Sequence, residues 1–181
     1  MTKTLLSAAL IAGLGIAAFA PQTASATDGT ITFNGTVTAG TCSTITAGTA
    51  NVVTLPTVST TTLNAAGATA GSTLFNIVVS GCSGGTPAIA SVATNFEVGS
   101  GVNAAGRIIN TGAAGTAATG VDLQLTDING TAINIGSSSP STPVALASGG
   151  ATMPFYVRYY ATAAATAGAV KGTVAYSVVY N

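Results

Sequence analysis

The 181-residue sequence contains no histidine and no tryptophan. Without histidine, neither a Ser-His-Asp nor a Cys-His nucleophile can be assembled. Charge is also scarce, with four Lys and Arg residues against four Asp and Glu residues. Nucleic acids and anionic membranes are bound through basic surfaces, and so few scattered cations do not form one. The sequence therefore predicts no nucleic-acid partner and no histidine-dependent catalysis.

Carboxylates could still act as a catalytic pair, as they do in glycosidases. Asp122 and Asp127 are too close in sequence to share a face, because an odd spacing puts them on opposite sides of one strand. Asp127 also lies where a hairpin turn favours Asp, so we interpret the two as edge and turn residues. The segment GSGVNAAG at 99–106 lacks the spacing and the following helix of a dinucleotide loop. We predict no enzyme activity, no catalytic residue and no cofactor.

The amino terminus has the features of a secretory signal. An apolar run at 5–19 is followed by the small residues Ala24-Ser25-Ala26, which form a cleavage site. A cut after Ala20 also satisfies the small-residue rule, but it places Pro21 directly after the cleaved bond. The apolar run is shorter than the roughly 20 residues that span a bilayer. We therefore predict that residues 1–26 are a signal peptide, that the mature chain is exported and that it has no membrane-inserted segment.

Cys42 and Cys82 are the only cysteines of the chain. Two thiols with no histidine and few carboxylates cannot complete a tetrahedral metal site. In an exported protein the two cysteines form a disulfide, which closes a loop of about 40 residues and stabilises the fold by about 4 kcal/mol in the chain-entropy model. The sequence predicts this disulfide and no metal.

Short β-branched segments separated by Gly, Asn, Ser and Pro run through the mature chain. Three segments rich in Ala, Gly and Thr, 64–72, 99–106 and 111–119, are interpreted as loops. The alternative for 111–119 is a short helix, which its alanines favour and its glycines oppose. Many short strands at close spacing predict a single all-β domain built as a sandwich. The predicted strands are 29–42 (continuous or broken near Gly35 or Gly40), 51–55, 73–80, 91–98, 120–127, 131–135, 152–162 and 170–180.

Two of these segments have clear local patterns. Asn129-Gly130 lies between two alternating runs and predicts a hairpin whose turn has positive φ at both central residues. In MPFYVRYYA, Arg158 and Tyr160 fall on one face of the strand, which predicts a solvated Arg158. The other face carries Met153, Phe155, Val157 and Tyr159.

The first and last segments of the mature chain also alternate. In DGTITFNGTV, Gly29, Ile31, Phe33 and Gly35 share one face, so two large apolar groups lie between two glycines that allow close backbone approach. In isolation the last strand reads as a core strand. It presents Val174, Tyr176, Val178 and Tyr180 to one side.

Taken in order, these motifs resemble the major shaft subunits of chaperone–usher fimbriae, the type 1 pilin family, over essentially the whole mature length. The resemblance is carried by GTITFNGTV leading to Cys42, by FNIVVSG before Cys82 and by the hairpin GVDLQLTDINGTAINIG. It is also carried by the carboxyl-terminal segment from Met153, with a penultimate Tyr180 and with Gly168 fourteenth from the end.

The resemblance implies an incomplete immunoglobulin-like β-sandwich that lacks its last strand and so has a hydrophobic groove along one side. Residues 27–41 would be a donor-strand extension, and residues 42–181 the pilin domain. A periplasmic chaperone fills the groove first, and at an outer-membrane usher the extension of the next subunit replaces it. The donor residues would be Gly29, Ile31, Phe33 and Gly35. The strand that borders the groove and pairs with the chaperone would contain Gly168, Val174, Tyr176, Val178, Tyr180 and Asn181, whose terminal carboxylate lies in the chaperone cleft.

The function implied by this resemblance is that of a structural shaft subunit of a cell-surface fimbria that supports adhesion. The subunit would be exported through the periplasm and would polymerise head to tail with identical or related pilins. The alternative is a minor or tip subunit that binds a surface or receptor. Tip adhesins of the family usually have an extra receptor-binding domain and lack a donor extension, whereas this chain shows the reverse.

Overall fold

The computed structural model describes residues 32, 35, 40–47, 51–83, 88–137 and 140–181. The chain divides into two compact units, residues 1–36 and residues 37–181. Within the first unit, Thr32 and Gly35 are exposed. The predicted signal peptide and the predicted donor residues Gly29, Ile31 and Phe33 lie outside the described residues.

The second unit consists of two antiparallel sheets, and its described residues include no helix. The larger sheet has the order β1-β2-β8-β5-β4, with β6 also paired to β5, and the smaller sheet has the order β7-β3-β9. The strands are β1 Thr44–Ala47, β2 Thr69–Ser80, β3 Ser91–Phe96, β4 Ile108–Ile109, β5 Val121–Thr126, β6 Ala132–Ile133, β7 Val144–Ala145, β8 Ala151–Ala161 and β9 Tyr176–Tyr180. The prediction of an all-β sandwich is confirmed.

The core lies between the two sheets. Phe155 of β8 meets Phe96 of β3 edge to face, with ring centroids 5.1 Å apart, and Met153 accepts a hydrogen bond from the Thr94 hydroxyl. Burying each large apolar side chain of this kind contributes about 1.5 to 3 kcal/mol. The alternation predicted for β8 is present, because Met153, Phe155 and Val157 are buried and Tyr159 is partly buried against the same core.

Several predicted strand boundaries are wrong. β1 was not predicted, whereas the predicted strand 51–55 has only an isolated bridge at Val52 and belongs to neither sheet. The predicted strand 170–180 pairs only from Tyr176 onward. β2 begins at Thr69, inside a predicted loop, because Gly71 with φ 64° forms a bulge that lets the strand continue. The short strands β4 and β7 were also missed.

The predicted hairpin is present, but its predicted turn type is wrong. Only Gly130 has positive φ (82°), while Asn129 does not. The geometry is that of a type I turn followed by a left-handed glycine. Asp127 fixes it, because its Oδ1 atom accepts hydrogen bonds from the backbone N–H groups of Asn129 (2.9 Å) and Thr131 (2.8 Å). These bonds, led by the one from Thr131, lower the pKa of Asp127 below 3.8.

The predicted disulfide joins Cys42 to Cys82. The ladder between β1 and β2 pairs Thr44 with Ser80, and the same register extends through the two cysteines to a bridge between Thr41 and Ser83. The disulfide therefore lies within this ladder, beyond the end of β1.

Candidate functional site

One side of the sandwich is bordered by two strands that have no further partner among the described residues. β1 ends the larger sheet, and β9 ends the smaller sheet. The hydroxyl groups of Thr41, just before β1, and Tyr180, in β9, lie 3.2 Å apart in a hydrogen bond. The two edges are thus on the same side of the molecule. We call the region between residues 44–58 and residues 170–180 the open flank.

The first wall of the open flank is formed by β1 and the segment after it. The register of β1 pairs Ile45 with the buried Val79, which puts Ile45 on the core side, yet Ile45 remains 36% exposed. Val53, Leu55 and Val58 pack against the core and are only partly buried. Within the described chain, no backbone–backbone hydrogen bond joins residues 53–58 to a strand, and the Pro56 carbonyl accepts a hydrogen bond from the Tyr159 hydroxyl of β8 (3.2 Å). This wall therefore has both uncovered apolar side chains and unpaired backbone.

The second wall is formed by residues 170–180. Val174, Tyr176, Val178 and Tyr180 all pack against the core, but each is only partly buried. The intervening Ser177 is exposed. Among the described residues β9 pairs only with β3, in a register that runs from Phe96–Tyr176 to Val92–Tyr180. The predicted alternation is confirmed, and the other edge of β9 is open.

Along both walls, apolar residues that face the core remain half exposed. This pattern indicates a sheet that is one strand short. A complete sandwich covers its edge strands or blunts them with charge. Here both walls leave backbone donors and acceptors available, and strand addition satisfies such groups while it buries alternate side chains. The open flank can therefore accept an extended segment.

Gly168, predicted as a family signature, lies where the chain turns toward the second wall. A Cβ atom on Gly168 would meet the backbone N of Ala118 at less than hydrogen-bond distance and the backbone O of Thr116 at 2.7 Å. This approach allows Ala118 N–H to donate to Ala169 O (2.9 Å) and Ala169 N–H to donate to Thr116 O (2.7 Å). Glycine is needed for packing rather than for a left-handed conformation.

A carboxylate holds β9 to its neighbour on the outer side of the smaller sheet. Glu97 Oε1 accepts hydrogen bonds from Ser177 Oγ (2.6 Å) and Asn95 Nδ2 (2.9 Å). These two bonds, the Ser177 bond first, lower the pKa of Glu97 below 4.5. Asn181 continues the pairing, since its backbone O accepts from Ala90 N–H (2.7 Å) and Ser91 N–H (3.0 Å).

Two charged residues differ from their predicted positions. Asp122 is not an edge residue, because β5 lies inside the larger sheet, where the buried Asp122 binds Arg107 Nε at 3.2 Å. Arg158 is not simply solvated: its Nε and Nη2 atoms donate to Gln124 Oε1 at 2.9 Å and 2.7 Å. Asp122 and Asp127 therefore have structural roles.

No group of metal-ligating side chains is found in the described residues, and these residues contain no helix long and apolar enough to cross a membrane. Reasoning from the sequence missed the wall at 53–58 and the Glu97 contact. The alternation of Val53 and Leu55 was visible, but nothing in it shows that the backbone is unpaired. The Glu97 contact depends on a strand pairing distant in sequence.

Comparison with known proteins gives a consistent result. The sequence model of the family described as fimbrial protein matches residues 31–181. The chain is 45% identical over 173 residues to the major fimbrial subunit SMF-1 of Stenotrophomonas maltophilia, covering 91% of this chain and 99% of that protein. It is similar to the crystal structure of an antigen and type I fimbria protein of Burkholderia pseudomallei, with a TM-score of 0.51, 32% identity and coverage of 76% and 100%. The P pilus rod subunit PapA has a similar fold, with a TM-score of 0.55, 19% identity and coverage of 72% and 92%.

Proposed function

Because the chain belongs to the fimbrial protein family, we propose that it polymerises by inserting its leading segment into the open flank of a neighbouring copy. The chain is a structural shaft subunit of an exported surface fimbria, and its family is not an enzyme family. We infer that it catalyses no reaction. The observation that carries the polymerisation proposal is the pairing of half-exposed core residues with unpaired backbone on both walls.

The leading segment matches the chemistry of the open flank. Ile31 and Phe33 alternate with polar residues, as Tyr176 and Val178 do on the facing wall. Burying Ile31 and Phe33 would contribute about 1.5 to 3 kcal/mol each. Ten residues, 27–36, extend about 33 Å as a strand, which is long enough to run along the five residues of β9 and beyond them. The proposed donor therefore fits in length, pattern and hydrophobicity.

The proposed division of the mature chain places the donor extension at 27–41 and the accepting domain at 42–181. Cys42 is tied to Cys82, and Thr41 is bridged to Ser83, so the extension starts from a fixed base. Donation at one end and acceptance along the flank use different surfaces. Such a contact is heterologous and does not close on itself, so it generates a filament.

A subunit with an open flank is liable to aggregate before it meets a neighbour. We propose that a periplasmic chaperone covers the flank by pairing with the open edge of β9, and that an outer-membrane usher replaces it with the next donor segment. The residues proposed to meet the chaperone are Gly168, Val174, Tyr176, Val178, Tyr180 and the carboxylate of Asn181. Deletion of Tyr180-Asn181 is expected to reduce capture and periplasmic yield, and unchanged yield would remove this role.

The donor proposal is tested by Phe33→Asp in the full chain expressed with its secretion system. A charge at this position is expected to stop polymerisation while leaving a folded subunit–chaperone complex. Thr32→Asp is the matched control, because Thr32 is on the other face of the extended segment and is expected to leave fibres unchanged. The readouts are a ladder of multimers on unboiled gels and filaments by negative-stain microscopy. Normal fibres from Phe33→Asp would refute the assignment.

The shaft role is favoured over a tip role by the similarity to a major subunit along nearly the full length of both chains. In a shaft role, the subunit is expected along the whole fibre when labelled with antibody. Labelling restricted to fibre ends would favour the tip alternative.

A further inference from the structure

The outer face of the larger sheet carries apolar, aromatic and basic side chains on two adjacent strands, β2 and β8. Leu74 and Val78 of β2 point outward and are 49% and 38% exposed. Tyr156, Arg158 and Tyr160 point outward from the adjacent β8 and are partly exposed. We call these five residues the arginine face. Tyrosine and arginine are enriched at the centres of protein interfaces, where they combine apolar area with hydrogen bonding.

Arg158 is fixed in position but lacks a counter-charge. Its Nε and Nη2 atoms both donate to Gln124 Oε1, and Gln124 is buried, so the guanidinium is held against the sheet. In the described part of the chain, the one ion pair is between Arg107 and Asp122, and Arg158 contacts no carboxylate. The outer Nη1 group is left to bind an acceptor from another molecule. Because the anchoring amide is neutral, the positive charge of Arg158 is not compensated.

A complementary surface lies on the opposite side of the sandwich. Asn95, Glu97 and Ser177 are on the outer face of the smaller sheet. Glu97 uses Oε1 for both of its hydrogen bonds, which leaves Oε2 for a partner. Val98 follows directly and is 67% exposed, the largest value among the exposed large hydrophobics. We call Glu97 and Val98 the acidic face.

We propose that the arginine face of one copy binds the acidic face of a second copy in the same fibre, through Arg158–Glu97 and through Leu74 packing near Val98. This proposal rests on the proposed polymerisation, because the contact forms between copies of the same fibre. The surfaces involved are separate from those of strand donation. The two faces are on opposite sheets, so the contact is heterologous and can repeat along a fibre without closing. It would pack subunits side by side, while donor strands link them end to end.

The proposed partner of the arginine face is a second copy of this chain, because the chain itself supplies the negative charge that complements Arg158. After the Arg107–Asp122 pair is set aside, Arg158 and Lys171 remain as described cations, and Glu97, Asp127 and the terminal carboxylate of Asn181 as described anions. The backbone O of Asn181 already accepts hydrogen bonds from Ala90 N–H and Ser91 N–H within the smaller sheet. Asp127 lies at the end of a strand of the same sheet as Arg158. Glu97 is on the other sheet, so a contact between Arg158 of one copy and Glu97 of a second copy brings the outer faces of two different sheets together.

Charge reversal with rescue tests the contact in fibres assembled from the full chain. Arg158→Glu and Glu97→Arg are each expected to keep the multimer ladder on unboiled gels but to give thinner, more flexible fibres by electron microscopy. The double variant Arg158→Glu/Glu97→Arg is expected to restore the wild-type width. Ala114→Glu is the control, since it adds a negative charge at an exposed site outside both faces and outside the open flank, and it is expected to keep the width.

Wild-type fibres supply a test that does not depend on the folding of a variant. Raising the salt concentration from about 0.1 M to 1 M shortens the screening length from about 10 Å to 3 Å, and the fibres are expected to become thinner without losing the ladder. Unchanged width in high salt and in both single variants would overturn the proposal. Restoration of the width of Arg158→Glu fibres by Asp127→Arg, rather than by Glu97→Arg, would overturn it as well. So would variants whose fibres no longer associate with one another but keep the wild-type width. Loss of the ladder in wild-type fibres would count against strand donation, not against the face contact.

Discussion

Gly168→Ala probes the link between the carboxyl-terminal signature and the wall of the open flank. The added methyl group would overlap the backbone of residues 116–118, because the nearest of those atoms lies far inside contact distance. The two segments must separate, which breaks the Ala118–Ala169 and Ala169–Thr116 hydrogen bonds. Each bond contributes about 0.5 to 1.5 kcal/mol net, and forced overpacking adds about 1 to 3 kcal/mol. We therefore expect Gly168→Ala to lower the free energy of unfolding by about 2 to 6 kcal/mol.

The assay is thermal and urea unfolding of the refolded mature subunit, followed by circular dichroism. For a domain of about 150 residues, 1 kcal/mol corresponds to about 2 to 4 °C in Tm, so Gly168→Ala is expected to lower Tm by about 4 to 24 °C. Gly99→Ala is the matched control, since a Cβ there meets no atom within 4 Å and its φ is not positive. A Gly168→Ala Tm within about 1 °C of the control would refute the packing argument.

Three further predictions concern the disulfide, the pH dependence and the hairpin. Replacing Cys42 and Cys82 by Ser is expected to cost about 4 kcal/mol in urea unfolding by the chain-entropy model, and a wild-type midpoint in the double variant would contradict this. The pKa of Glu97 is lowered by Ser177 and Asn95, so the carboxylate contributes stability above pH 4.5 that is lost as pH falls through its folded pKa. The stability advantage of wild type over Glu97→Gln should therefore shrink on acidification below pH 4.5, and an advantage that grows would show that the sign is wrong. Gly130→Ala is expected to cost about 1 to 2 kcal/mol because it forces a left-handed alanine, whereas Asn129→Ala should cost less. Equal costs at both positions would indicate positive φ at both.

Periodicity predicted the parts of the fold that depend on which face a residue occupies. Alternation placed Met153, Phe155 and Val157 in the core and Tyr176 and Val178 on the core side of β9, because a strand has only two faces. The same alternation could not distinguish a paired strand from an unpaired one. The pattern of residues 51–55 predicts a strand, yet beyond the isolated bridge at Val52 the segment joins neither sheet.

Contacts between distant segments account for most of the errors. Arg158 and Asp122 were assigned from their own strands, but the register of β5 against β8 places Gln124 beside Arg158, and β5 lies inside the sheet. The turn at Asn129-Gly130 was assigned from the dipeptide, while the Asp127 side chain selects the other geometry. The missing strand was implied by resemblance alone, since the absence of a segment leaves no pattern in the sequence.

The most direct test of the account is an electron cryomicroscopy reconstruction of the assembled fibre at a resolution that separates strands. We predict that residues 29–35 of each copy form a strand between β9 and residues 53–58 of the next copy, with Ile31 and Phe33 pointing into the core of that neighbour. A reconstruction in which residues 29–35 lie in the flank of their own domain, or in which that flank is empty, would contradict the account.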